Sequence, residues 1–243
     1  MTEFIKPFGL DHFIYMTIFL LFAIILFKKK DAIAKNQSTI TKVILVTSII
    51  QQIVLYGSYL FLEDFNPAVS LPLHISRINT IMGILYLITR DRDIYKIISF
   101  TGFFALLSFL YPSQVHKISH PIGISFLVNH IITLLMPFYI RICFEEELPW
   151  EGKNFAFGFF LTYLMAVYTL NPLIDGNYFY LVNRPITLLN EIPDLGYLIL
   201  CSIFAYVMFS LVELLYRHLE NKPLFEKFNI KKLTNSISPE IEM

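Results

Sequence analysis

Seven apolar runs, joined by short polar connections, occupy most of this 243-residue chain and leave little room for anything else. They lie near 11–27, 40–62, 71–89, 95–114, 119–141, 154–174 and 194–216. A helix rises about 1.5 Å per residue, so roughly 20 apolar residues cross the hydrocarbon of a bilayer. The runs are continuous and do not alternate apolar with polar. They therefore read as membrane helices, which satisfy their own backbone hydrogen bonds in hydrocarbon. Composition agrees: 56% of residues are hydrophobic and only 16% charged, against about 25% charged in an ordinary globular domain. The 24 Phe and 14 Tyr fall largely within these runs, which excludes a disordered chain, a collagen-like repeat and a nucleic-acid module.

Net charge is zero, so the positions of the charges carry the information. If the seven runs alternate across the membrane, 15 of the 19 Lys and Arg fall on one side, in 28–42, 90–96, 141–153 and the segment from Arg217. Lys6, Lys117 and Arg184 fall on the other, and Arg77 lies inside a run. Basic connections face the cytoplasm. The expected fold is an all-α membrane protein, a polytopic bundle of seven transmembrane helices with its N-terminus outside and its C-terminus cytoplasmic. Residues 1–220 form the membrane domain and 221–243 a polar cytoplasmic tail. Lys28, Lys29 and Lys30 follow the first run, and no A-x-A site appears, so that run is expected to remain an anchor. The long external loop 175–193 is expected to cover the bundle, with its aromatics at headgroup depth. Cys143 and Cys201 form no metal or redox spacing and read as packing residues.

A strongly polar side chain inside a span is a candidate site. The third run is the richest, Leu71-Pro72-Leu73-His74-Ile75-Ser76-Arg77-Ile78-Asn79-Thr80. Pro72 fits a first helical turn, and His74 with Arg77, like Ser76 with Asn79 and Thr80, shares a helix face. The fifth run supplies Ser125, Asn129 and His130, and the second supplies Gln51, Gln52 and Tyr56. Ser76 and His130 are expected about 8 Å and about 14 Å below the external ends of their helices. At those depths they can meet as nucleophile and general base. The plain reading of each is a serine bonded to its own backbone and a structural interhelical donor. Arg77 needs a partner at this depth: Asp64, Asp175 or Glu191 from external loops, or a lipid phosphate held bidentately. There is no Walker loop, no His-rich metal spacing and no G-x-S-x-G elbow, so neither a metal nor a cofactor is expected.

Leu71-Pro72-Leu73-His74-Ile75-Ser76, the helix carrying His130, and Asn177-Tyr178-Phe179-Tyr180-Leu181 followed by Pro185 form an ordered set. In these pieces the chain resembles the bacterial YwaF-like integral membrane proteins, relatives of the transmembrane protein 164 acyltransferases. The resemblance runs from the first span to the seventh. It implies a cytoplasmic-membrane enzyme of lipid metabolism that moves acyl groups between phospholipids through an acyl-enzyme. It also puts the family's L-P-L-H-x-C cysteine at Ser76 and its helix-five histidine at His130. Serine in place of cysteine forbids a thioester there. What remains is a serine ester that depends on His130, or an inactive site.

The expected reading is a phospholipid acyltransferase or acyl hydrolase. Ser76 and His130 are catalytic, and His74, Arg77, Asn79, Gln51, Gln52, Asn177 and Tyr178 bind substrate. Asn79, or a Gln from the second run, is the expected oxyanion donor. The alternatives are a small-solute or lipid transporter, which the absence of an internal repeat disfavours, and a non-catalytic lipid-binding membrane protein.

Overall fold

The computed structural model describes residues 4–220, which contain ten α-helices and three short 3-10 helices. The tail expected over 221–243 lies outside the described residues. The helices are α1 Leu10–Lys28, α2 Lys30–Lys35, α3 Gln37–Phe61, α4 Pro67–Ser70, α5 Ile75–Thr89, α6 Arg92–Thr101, α7 Phe104–Leu110, α8 Pro121–Phe144, α9 Gly152–Leu170 and α10 Asp194–Glu220. Among the described residues there is no β-strand, and six helical segments are long and apolar enough to cross a membrane. They are Leu10–Lys28, Gln37–Phe61, Arg92–Leu110, Pro121–Phe144, Gly152–Leu173 and Asp194–Leu219.

The expected third span takes a different form. Its helix, α5, has only 15 residues, or about 22 Å at the standard rise. Pro72 does not open this helix. Leu71 to His74 run as a turn, and α5 starts at Ile75 with His74 in the extended N-cap position. Proline holds the preceding residue out of the helical region, so Leu71 is extended, at φ −67° and ψ 157°. At the other end Arg90 takes a left-handed conformation, φ 60°, and stops the helix.

The fourth span is also interrupted, at Gly102–Phe103 between α6 and α7. Pro137 lies inside α8 and cannot donate to the carbonyl of Thr133. The break at Gly102 packs against that same carbonyl: a Cβ there would lie 2.9 Å from the Thr133 oxygen and 2.7 Å from that of Ile98. α8 is the central helix, in contact with α1, α2, α3, α5, α6 and α7, while α9 and α10 pack outside α6.

The core is aromatic. Phe104, Phe160 and Phe209 are buried and meet one another at ring separations of 5.1–6.0 Å, and Phe179 joins the group at 5.2 Å from Phe104. The outer faces of α1, α3 and α10 remain apolar and exposed at Phe22, Val46, Ile203 and Leu211. Such a surface suits lipid. Loop 175–193 does more than cover the bundle. Tyr178 is fully buried and Phe179 packs in the aromatic core, while Tyr180 stays exposed.

Close approach sets one strict requirement at the start of α8. A Cβ on Gly123 would run into the Lys117 carbonyl oxygen and come within 2.8 Å of the Tyr15 hydroxyl. Gly123→Ala is therefore expected to cost about 3 kcal/mol, the upper range for overpacking. Thermal unfolding in detergent checks this, with Gly158→Ala as the control, since nothing lies within 4 Å of a Cβ there.

Candidate functional site

The turn before α5 carries backbone groups that no helix satisfies. Irregular backbone at membrane depth persists only where protein surrounds it and supplies partners. Three side chains do so. The Tyr178 hydroxyl donates to the Pro67 carbonyl at 2.7 Å and accepts from the Leu71 N–H at 3.0 Å. The Tyr163 hydroxyl donates to the Leu73 carbonyl at 2.9 Å. Arg77 donates through Nη1 to the carbonyls of Val69 at 2.8 Å and Leu71 at 2.9 Å, and through Nη2 to the Tyr59 hydroxyl at 2.6 Å. The guanidinium thus finds its partners in carbonyl and hydroxyl oxygens. Among the described residues no ion pair joins it to Asp64, Asp175 or Glu191.

This scaffold displays the residues expected to carry chemistry. His74 sits at the N-cap with its ring edge-on to Tyr178, 4.8 Å between centroids, and makes no side-chain capping bond. Ser76 is the second residue of α5 and is half-buried. Its carbonyl lies against α8, accepting from Thr133 Oγ1 and Asn129 Nδ2, each at 3.4 Å. His130 is buried one residue further along α8 from Asn129. Its Nδ1 lies 2.9 Å from the Phe126 carbonyl. A carbonyl only accepts, so Nδ1 carries the ring hydrogen and Nε2 keeps its lone pair. Phe126 stacks on the ring at 3.8 Å and Phe109 meets it edge-on at 5.6 Å, so the ring is held on two sides. His130 and His74 lie within electrostatic reach of each other and of Arg77.

Other expected ligands are occupied by the protein itself. Asn79 is buried, donating to the Ile75 carbonyl at 2.9 Å and accepting from Thr101 Oγ1 at 2.7 Å. Gln51 donates to Ser125 Oγ at 2.6 Å and accepts from Gln52 Nε2 at 2.7 Å. Asn177 organises its own loop, accepting from the N–H groups of Val182 and Asn183 and donating to the Asn183 carbonyl. The amide donors proposed for an oxyanion are thereby already engaged. The first turn of α5, with no side-chain cap, offers backbone N–H groups instead.

Two buried polar atoms facing α5 have no hydrogen-bond partner: Gln52 Oε1 on α3 and Asn129 Oδ1 on α8. Buried polar atoms are rarely left unpaired in native proteins. Of these side chains, Asn129 is the one that touches the Ser76 backbone while its own carbonyl oxygen stays unpartnered.

Sequence reasoning passed over Tyr59, Tyr163 and Asn171. Asn171 brackets Tyr178, donating to its carbonyl at 3.0 Å and accepting from its N–H at 2.9 Å. A tyrosine in an apolar run reads as an interfacial anchor, and nothing local announces that its hydroxyl will cap a turn far away in sequence.

A family model for the TMEM164 family matches residues 7–213, which include the α4–α5 turn, His130 and the 175–193 loop. No curated protein and no solved structure matches the chain. The match spans most of the sequence and all of the site, and the chain belongs to the TMEM164 family.

Proposed function

We propose that the protein is a membrane-embedded acyltransferase or acyl hydrolase acting on phospholipid esters, with Ser76 as nucleophile and His130 as general base. The observation that carries this reading is the His130 ring. Its Nδ1–H is committed to the Phe126 carbonyl, so Nε2 is the basic nitrogen, on a helix that touches the Ser76 backbone. Ser76 Oγ would attack the acyl carbonyl while Nε2 takes its proton. The tetrahedral oxyanion would settle on the first-turn N–H groups of α5, at the positive end of the helix dipole. Collapse would release the lysophospholipid hydroxyl, which recovers the proton from His130 and leaves an acyl-serine. A lysophospholipid hydroxyl, or water, would then displace serine by the reverse proton path. His74, Arg77, Gln51, Gln52 and Tyr178 would shape the headgroup end, with Asn79 and Asn177 supporting it.

The decisive test is intact-protein mass spectrometry after incubation with phospholipid. An acyl-sized gain in mass is expected, formed about 10²- to 10⁴-fold more slowly in His130→Gln, the usual range for losing a general base. If the parent gains no mass and turns over no ester, while phospholipid still co-purifies, the protein binds lipid without catalysis.

Orientation follows from the basic residues. α4, the turn and α5 together make the third of seven crossings, with the N-terminus outside and the C-terminus within, in a bacterial cytoplasmic membrane as in the YwaF-like proteins. In a background with Cys143 and Cys201 replaced by serine, Ser113→Cys is expected to react with a membrane-impermeant maleimide on intact cells. Lys35→Cys is expected to react only after permeabilisation. The opposite pattern would invert the topology.

A further inference from the structure

Glu63, just past α3, meets His116 and His120 in the loop between α7 and α8, at the end of the bundle where α5 begins. Each offers one ligand atom, and those atoms lie within 4.8 Å of one another. The two imidazoles are stacked, 4.4 Å between centroids and 19° from parallel. His120 Nε2 faces Glu63 Oε1 at 3.7 Å. The loop beneath them is pinned. The Tyr15 hydroxyl donates to the His116 carbonyl at 2.9 Å, the Ile5 N–H donates to the Val115 carbonyl at 2.8 Å, and Phe4 packs edge-on against His116 at 5.0 Å. All three side chains are half-buried, open to an ion from water but limited in their movement.

We propose that Glu63, His116 and His120 bind a divalent transition-metal ion of the zinc type, with water in the fourth position. Two imidazoles and one carboxylate form the nitrogen-and-oxygen donor set that zinc favours. Calcium and magnesium need more oxygen ligands than this site offers. Zinc–ligand bonds of about 2.0–2.2 Å place neighbouring donors about 3.4 Å apart in a tetrahedron, so donors now up to 4.8 Å apart must draw together by at most about 1.4 Å, within reach of side-chain rotation. One bond opposes this. His120 Nδ1 accepts from the Ile122 N–H at a long 3.3 Å, and metal on Nε2 shifts the ring hydrogen to Nδ1 and breaks it. The ion would tie the end of α3 to the start of α8, the two helices that carry Gln52, Tyr56, Asn129 and His130. This site is independent of the acyl-transfer reading, since none of its ligands takes part in that chemistry.

The test uses the full-length protein with an affinity tag that contains no histidine, stripped by chelator and titrated with Co²⁺ and then Zn²⁺. The expected result is the visible absorption of four-coordinate cobalt at one equivalent, displaced by Zn²⁺, with a Zn²⁺-dependent rise in unfolding temperature. Glu63→Gln and His116→Gln are each expected to lose both signals while unfolding at the parent's metal-free temperature. If either variant fails to fold, Glu63→Asp, which keeps the carboxylate but shortens its reach, is expected to bind Zn²⁺ more weakly. The proposal is overturned if the parent shows neither signal, if the cobalt band survives in His116→Gln, or if Ca²⁺ or Mg²⁺ stabilises the parent as well as Zn²⁺ does. Glu63 and His120 would then form only an ion pair.

Discussion

Ser76→Ala is expected to abolish the acyl adduct and lower ester turnover by on the order of 10³-fold or more, the usual consequence of deleting a nucleophile. Ser76→Cys is the more informative partner. Cysteine restores the residue that the family resemblance leads one to expect at this position. A thiol is acidic enough to supply some nucleophilic anion without a strong base, whereas a serine hydroxyl depends on one. Ser76→Cys is therefore expected to form a hydroxylamine-labile thioester, and adding His130→Gln should slow that variant less than it slows the parent. The pair of variants separates chemistry from packing, because Ser, Cys and Ala all fit a half-buried first-turn position. Equal adduct levels in Ser76→Ala and the parent would place the nucleophile elsewhere. If Ser76→Cys acylates and the parent does not, the family chemistry persists in the scaffold and serine has silenced it.

Arg77→Met is expected to cost about 3 kcal/mol of stability. It removes three hydrogen bonds from a charged donor, each worth roughly 1.5–3 kcal/mol when broken singly and less than additive together. The loss is larger than for an isolated surface charge because one guanidinium ties the Val69 and Leu71 carbonyls to the Tyr59 hydroxyl, and all three lose their partner together. About 3 kcal/mol corresponds to a fall of roughly 6–12 °C in unfolding temperature for a chain of this size. Hydrogen exchange should localise the change to residues 67–74. Arg77→Lys is expected to recover only part of it, since an ammonium cannot span two carbonyls and a phenol in the fixed fork of a guanidinium. Tyr178→Phe removes one donor and one acceptor from the same turn and is expected to cost about 1–2 kcal/mol. A stable Arg77→Met protein with slowed acylation would instead make Arg77 a headgroup ligand.

The membrane-embedded, all-helical class was legible because it depends on local chemistry. A run of apolar residues such as Phe13–Phe27 has one low-energy answer in hydrocarbon, whatever the rest of the chain does. The polar richness of Leu71–Thr80 was equally visible, since buried polar groups stand out in an apolar text. The shape of that segment was not. Pro72 fits either a helix start or the turn before one, and local sequence does not choose between them. The choice falls to Tyr163, Tyr178 and Arg77, which reach back to satisfy the exposed carbonyls, and two of the three are distant in the chain. Loop 175–193 misled for a related reason. Its aromatics suit a headgroup region as well as they suit a core, and only the gap beside Phe104 and Phe160 draws Phe179 inward.

The same division holds for the polar residues. Residue type alone marked Ser76, His130, Asn79 and Gln51 as unusual in a membrane. Which of their groups are already engaged is a property of neighbours: Asn79 bonds Thr101 and Ile75 and Gln51 bonds Ser125 and Gln52, whereas His130 Nε2 is left with its lone pair. His116 and His120 stand at a metal-ligand spacing in the sequence, against the expectation of no such spacing, but two imidazoles make no site until folding brings Glu63 from a different loop beside them. Sequence by itself determined the solvent, the helices and the list of costly side chains, because burial and backbone satisfaction act residue by residue. Tertiary structure alone decided where the third helix begins and which polar atoms are left over for chemistry, because hydrogen bonds are exclusive and their partners are brought together only by packing.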